Sequence, residues 1–150
     1  MKKSKIIEGY DLSGVTTLHG LSLQQYYDLL KHQGFKCPVS KFDFIYDKDK
    51  KKFIDSRGEV KQFPKRNAPP IDHCHDTGHI RGILTQTINW LENQWGHNSY
   101  GSITKPPELT YYQNNPPAYE CIGKVNYKWL TKWRKNAMVN AWSLLYDEYY

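Results

Sequence analysis

A chain of 150 residues with 39% hydrophobic residues and a mean hydropathy of −0.78 makes one domain with a modest core, or one small domain with an appendage. It holds no apolar run of the roughly 20 residues a membrane helix needs, no signal-peptide pattern at its start and an odd three cysteines, which together argue against a membrane protein and a disulfide scaffold. Twenty-one Lys and Arg against fifteen Asp and Glu leave a charge of +6, so the expectation is a cytoplasmic protein in a reducing compartment with a polyanionic partner.

Residues 1 to about 20 are polar without a sustained period and read as an N-terminal arm or loop. Ser22 with Gln25 three residues on is a capping box, and Gly34 is a natural stop. Leu23, Tyr26, Leu29 and Leu30 share one face of the helix between them. Cys37 to Phe63 reads as antiparallel strand, with Phe42, Phe44 and Tyr46 alternating with Asp43 and Ile45, and Lys51 to Ile54 returning after a turn at Asp47-Lys48-Asp49-Lys50. Asn67-Ala68-Pro69-Pro70 forces an extended lead into Ile71-Asp72-His73-Cys74-His75. Asp76-Thr77-Gly78 signals a turn and His79 to Ile83 a short return strand, after which Leu84, Ile88, Leu91 and Trp95 mark a helix that Gly96 stops. Pro106-Pro107 and Pro116-Pro117 make 97–123 a Pro-rich connector. A last helix is predicted from about Lys124 to Tyr146, with Val125, Trp129, Trp133, Ala137 and Ala141 every four residues. The expected organisation is an arm over 1–20, a domain over 21–96, the connector, and a basic aromatic helix within 124–150. The 15% of aromatic residues should supply much of the buried area.

The chemistry concentrates in the centre. Asp72 ends a short strand, and Asn89 lies one turn into the helix that follows. A strand pair packed on a helix can bring these two oxygens to one divalent cation, and two protein oxygens plus water and phosphate oxygens suit Mg²⁺. His73 neighbours Asp72, yet alternation along a strand points adjacent side chains to opposite faces. A bulge or the tight turn must therefore separate their tasks, one holding the ion and the other, a neutral imidazole, reaching an attacking water. A soft-metal alternative would gather Cys74, His73, His75 and His79 around Zn²⁺, although that spacing lacks a second Cys or His pair.

The string Asp72-His73-x-His75-x-x-Gly78-x-x-Arg81-Gly82-Ile83-Leu84-x4-Asn89 resembles the motif of the phage recombination endonuclease VII family, within the HNH, or ββα-metal, nucleases. Gly20 to Leu30 and then Gln33-Gly34-x-x-Cys37 are similar to that family's helix leading into its first zinc cysteine. The resemblance runs from about Gly20 to Gly96, and more faintly to Pro117. It implies an α+β fold: a ββα-metal (HNH, His-Me finger) core flanked by an N-terminal and a C-terminal helix. It implies Asp72 and Asn89 as metal ligands, His73 as general base and His75 as a second histidine at the scissile phosphate. It further implies a Mg²⁺ cofactor for which Mn²⁺ substitutes, a phage origin, and action in the host cytoplasm. The family usually binds structural Zn²⁺ through two Cys-x-x-Cys pairs. The corresponding positions here are Cys37 and Ser40, then Thr85 and Ile88, so no structural zinc is expected. Cys37 then reads as a small core residue, with Ile88 and Phe42, Trp90 or Trp95 packing where the ion would sit.

Between Lys36 and Arg66 ten basic residues face five acidic ones. Lys50, Lys51, Lys52, Lys65 and Arg66, with Lys48 and Lys61 beside them, are candidates for phosphate contact; Arg81 could be structural or touch a phosphate. The resulting expectation is a Mg²⁺-dependent DNA endonuclease acting on branched or duplex DNA. The alternatives are a site-specific nicking enzyme of homing type and a catalytically inactive DNA-binding relative; a zinc-binding structural module is a third. DNA is the expected partner, a homodimer is open, and no membrane is involved.

Overall fold

The computed structural model describes residues 4–55, 69–96 and 105–127. Among these the chain is α+β: three two-stranded antiparallel sheets and four helices, in the order ββαββββααα. The stretch expected as an N-terminal arm instead forms β1 (Ile6–Ile7) and β2 (Tyr10–Asp11), and it buries Leu12 and Val15 completely or nearly so. Apolar residues too sparse to show a period are still enough to anchor a segment that tertiary contacts hold.

Helix α1 (Leu23–His32) begins as its sequence dictates. Ser22 Oγ accepts from the Gln25 N–H at 3.0 Å, and Gln25 Oε1 accepts from the Ser22 N–H at 2.9 Å. Gly34, at φ +69°, provides the left-handed residue that ends it. The helix buries Tyr26, Tyr27, Leu29 and Leu30. Beyond it, β3 (Phe44–Asp47) pairs with β4 (Lys52–Asp55). Phe44 and Phe53 turn inward while Ile45 stays exposed. Tyr10, Tyr27, Phe35, Tyr46 and Phe53 form a connected ring cluster with centroids 5.0–6.0 Å apart, and much of the aromatic content resides there. The turn of this hairpin lies so close to Gly14 that a Cβ there would sit 1.9 Å from the Lys50 carbonyl oxygen.

Strands β5 (Ile71–His73) and β6 (Ile80–Ile83) form the central hairpin, and every residue of the two strands is buried. Gln33, at the end of α1, grips it: Nε2 donates to the Ile83 carbonyl and Oε1 accepts from the Ile83 N–H, both at 2.8 Å. Helix α2 (Gln86–Gly96) follows directly, starting two residues later than the sequence pattern suggests. Leu84 and Thr85 are fully buried ahead of it.

The Pro-rich connector is not irregular. Each Pro-Pro pair opens a helix, α3 (Pro107–Asn114) and α4 (Pro117–Cys121), with the first proline as N-cap and the second at N1. A missing N–H costs nothing there and the fixed φ suits the first turn. The expected final helix does not begin at Lys124: Val125 to Tyr127 run extended against the start of β6. Its remainder lies outside the described residues. No helix among those described is long and apolar enough to cross a membrane.

Candidate active site

Asp72 pairs with Gly82 and His73 with Ile80, so Arg81 is an extra residue opposite the Asp72–His73 step. This β-bulge has its extra residue on β6, and the two side chains have separate partners: Asp72 meets Arg81 and Tyr112, and His73 lies against the rings of His75 and Tyr127. Asp72 is 2% exposed and His73 7%.

Asp72 is the hub of a buried polar cluster. Arg81 Nε donates to its Oδ2 at 2.8 Å, Arg81 Nη2 to its Oδ1 at 3.2 Å, and the Tyr112 hydroxyl to Oδ2 at 2.8 Å. Arg81 Nη2 also donates to Oε1 of Glu92, which accepts a further bond from Gln113 Nε2 at 3.2 Å. Strand β6, helix α2 and helix α3 thus meet on one carboxylate pair. Gly82 is needed for this closeness, since a Cβ would lie 3.0 Å from both Cε1 and the hydroxyl of Tyr112. One guanidinium serves two carboxylates. Burial, then the neighbouring Asp72 charge, push Glu92 up to about 7 against the pull of Arg81. Glu92 Oε2 is buried with no hydrogen-bond partner among the described residues.

His73 is held neutral. Burial foremost, and then His75, lower it to about 4 from 6.5. The His75 ring lies against it with centroids 4.8 Å apart, and the Tyr127 ring lies closer, at 3.9 Å and 16°. His75 itself is half-buried. Among the described residues no three His, Cys, Asp or Glu side chains converge as a metal-ligand set. The alternative zinc group of Cys74, His73, His75 and His79 is therefore not assembled. His79 instead stands edge-on to Tyr119, with centroids 6.2 Å apart.

The donors that remain suit a hard cation. Asp72 and Glu92 supply carboxylates, Glu92 has a free buried oxygen, and Asn89 lies three residues before Glu92 on α2.

The basic candidates divide. Lys50 and Lys51 are exposed at the β3–β4 turn, with Lys51 Nζ 3.7 Å from Asp11. Lys52, the first residue of β4, is only 8% exposed, so its expected role in DNA contact does not match its placement. Arg81 likewise faces two carboxylates at 7% exposure and presents no surface to a phosphate. A strand places a basic residue on whichever side the register dictates, and charge alone did not reveal that side. Lys65 and Arg66 lie outside the described residues.

Three of the four positions aligned with the family's zinc cysteines do meet. Thr85 Oγ1 donates to Cys37 Sγ at 3.8 Å, the Ser40 N–H donates to the same sulfur at 3.5 Å, and the Ser40 and Thr85 hydroxyls are 3.4 Å apart. Of the aromatic residues expected to fill this place, Phe42 and Trp90 are 39% and 37% exposed, and the side chain of Trp95 lies outside those described. A small knot of thiol and hydroxyl contacts, with Ile88 packed partly against the core, ties the loop after α1 to the end of β6.

Glu92 and Tyr112 escaped the sequence reading, which places Tyr127 on the expected final helix. Glu92 had a signal, because three residues after Asn89 it falls on the same helical face. Tyr112 and Tyr127 had none, since only the folding back of α3 and α4 brings them to the central hairpin. A family model described as recombination endonuclease VII matches residues 14–114. Comparison with curated proteins and with solved structures found no match.

Proposed function

The chain belongs to the recombination endonuclease VII family, a family of DNA-cleaving nucleases, and on that premise we propose that it is a Mg²⁺-dependent DNA endonuclease whose β5–β6–α2 unit is a ββα-metal core. Asp72 and Asn89 hold the cation, and the free oxygen of Glu92 joins them. When bound, the ion supplies positive charge to the scissile phosphate and the departing 3′ oxygen. Neutral His73 accepts a proton from the attacking water, and its low basicity in the fold keeps it unprotonated at pH 7. His75, against His73, contacts the phosphate or passes the proton onward. Arg81 orients Asp72 and leaves DNA contact to exposed lysines such as Lys50 and Lys51. The positions aligned with the zinc cysteines hold no zinc, and the contacts among Cys37, Ser40 and Thr85 take over its structural task.

The observation that carries this reading is a buried imidazole beside a bulge whose Arg81 joins two carboxylates, Asp72 on β5 and Glu92 on α2. The proposed substrate is branched DNA, with nicking of a duplex site as the second form of the same activity. A nicking assay with added Mg²⁺ on supercoiled plasmid and on a four-way junction tests it. Cleavage that needs the divalent ion and falls roughly 10²–10⁴-fold in His73→Ala supports the proposal. Equal behaviour of wild type and His73→Ala would mean a silent DNA-binding protein that keeps the fold.

A further inference from the structure

Among the described residues His73 makes no side-chain hydrogen bond; what lies against its ring are other rings. A base histidine is commonly oriented by a hydrogen bond to its second ring nitrogen, and an imidazole's χ2 is otherwise broad. Something else must set the plane of this one.

The chain after α4 provides it. Gly123, at φ +82°, turns the backbone out of the helix. Ile80 N–H then donates to the Val125 carbonyl and Tyr127 N–H to the Gly78 carbonyl, both at 2.8 Å, and Asn126 bridges antiparallel to His79. Lys124 Nζ lies 5.5 Å over the Tyr119 ring, and that ring meets His79, so the segment is held to the hairpin on both sides of Gly123. The outcome is one placement: the Tyr127 ring nearly parallel to His73, at 3.9 Å and 16°. Tyr127 is itself backed by His19, at 4.5 Å and 20°. His19 occupies φ +49°, a conformation uncommon for a side-chain-bearing residue, immediately before Gly20 at φ +102°. Tyr127 is 9% exposed and lies beyond the residues 14–114 that the family model matches.

We propose that Tyr127 is a positioning residue for His73: the extended segment ending at Tyr127 lays a flat ring on the imidazole and fixes its plane for attack on water. This rests on the reading of His73 as general base. A flat ring, rather than the hydroxyl or simple bulk, is what the geometry requires.

Kinetics of nicking by the full chain with Mg²⁺ would compare wild type, Tyr127→Phe, Tyr127→Leu and His73→Ala. Tyr127→Phe should stay within about twofold of wild type, while Tyr127→Leu should lose roughly tenfold to a hundredfold in kcat with KM for DNA little changed, the scale expected of a misplaced catalytic group. In parallel, the His73 Hε1 resonance, assigned by its disappearance in His73→Ala, should be displaced upfield by ring current in wild type and Tyr127→Phe and relax in Tyr127→Leu. Folded Tyr127→Leu with unchanged or raised kcat, or with only KM altered, overturns the proposal. A wild-type His73 resonance without the upfield displacement overturns it too, even if Tyr127→Leu does not fold. If His73→Ala is inactive and Tyr127→Leu is not impaired, positioning fails alone; if His73→Ala retains activity, the general-base reading fails with it.

Discussion

At the scale of single residues, the decisive groups are charges and rings taken out of water. Arg81 is the sole cation between Asp72 and Glu92 among the described residues, with side chains 8%, 2% and 4% exposed. Arg81→Met should destabilise the protein by about 3–5 kcal/mol, read by urea unfolding, because it leaves two buried carboxylates uncompensated. Arg81→Lys should not restore stability, since an ammonium cannot span both acceptors as the planar fork does. His73 and Glu92 give opposite pH signatures. The folded state holds His73 at about 4, below its ordinary 6.5. Its contribution is therefore present above pH 6.5 and lost as pH falls toward 4, up to about 3 kcal/mol. Glu92 is raised from 4.5 to about 7, so its contribution is present below 4.5 and lost as pH rises to 7. Unfolding free energies of His73→Phe and Glu92→Gln between pH 4 and 8 should each lack one of these slopes. That Asp72 and His73 share a short strand and Asn89 follows on a helix was legible in the sequence, whereas the burial of Arg81 was not: a sequence displays a charge without displaying what it faces.

At the scale of elements, local signals were read well where they were chemically complete. The Ser22–Gln25 capping box appears with both reciprocal bonds, and Ser22→Ala should cost about 1 kcal/mol in thermal or urea unfolding. Strand alternation predicts a bulge or a tight turn at Asp72–His73, and a bulge is found there, with Arg81 as the extra residue on β6. The Pro-Pro pairs mark a connector in the sequence, and each opens a helix, because proline interrupts a helix only in its interior and favours its first turn. Helix α3 then brings Tyr112 to Asp72 over Gly82. Gly82→Ala should destabilise by about 1–3 kcal/mol through overpacking against the Tyr112 ring. Tyr112→Phe should lose about 1.5–3 kcal/mol, the scale of a hydrogen bond to a charged acceptor. Chemical denaturation of the two variants and their double mutant would show coupling, because both act on one contact.

At the scale of the whole molecule, helices α1, α2 and α3 and the segment after α4 all converge on one hairpin. Gln33 grips its far strand, Glu92 and Tyr112 reach Asp72 and Arg81, and Tyr127 covers His73. A divalent cation that binds this assembly and not the unfolded chain should raise the melting temperature. At about 100 times its Kd the gain is about 2.7 kcal/mol. Differential scanning fluorimetry with Mg²⁺ or Mn²⁺ against EDTA should show it in wild type, and lose it in Asp72→Asn. DNA affinity should fall with salt, because lysine–phosphate contacts release counterions.

The sequence by itself determined the family, the position of Asp72, His73 and Asn89, the capping of α1 and the tight turn that closes the central hairpin. These depend on neighbours within a few residues, or on a motif whose spacing is the signal. Tertiary structure alone decided which charges face inward, which tyrosines reach the central hairpin, and how Cys37, Ser40 and Thr85 meet. Those depend on segments that meet from 40 to 54 residues apart, as Tyr112 meets Asp72 and Tyr127 meets His73. No local period records such a meeting, because it is selected by packing and by the partners that buried polar groups must find.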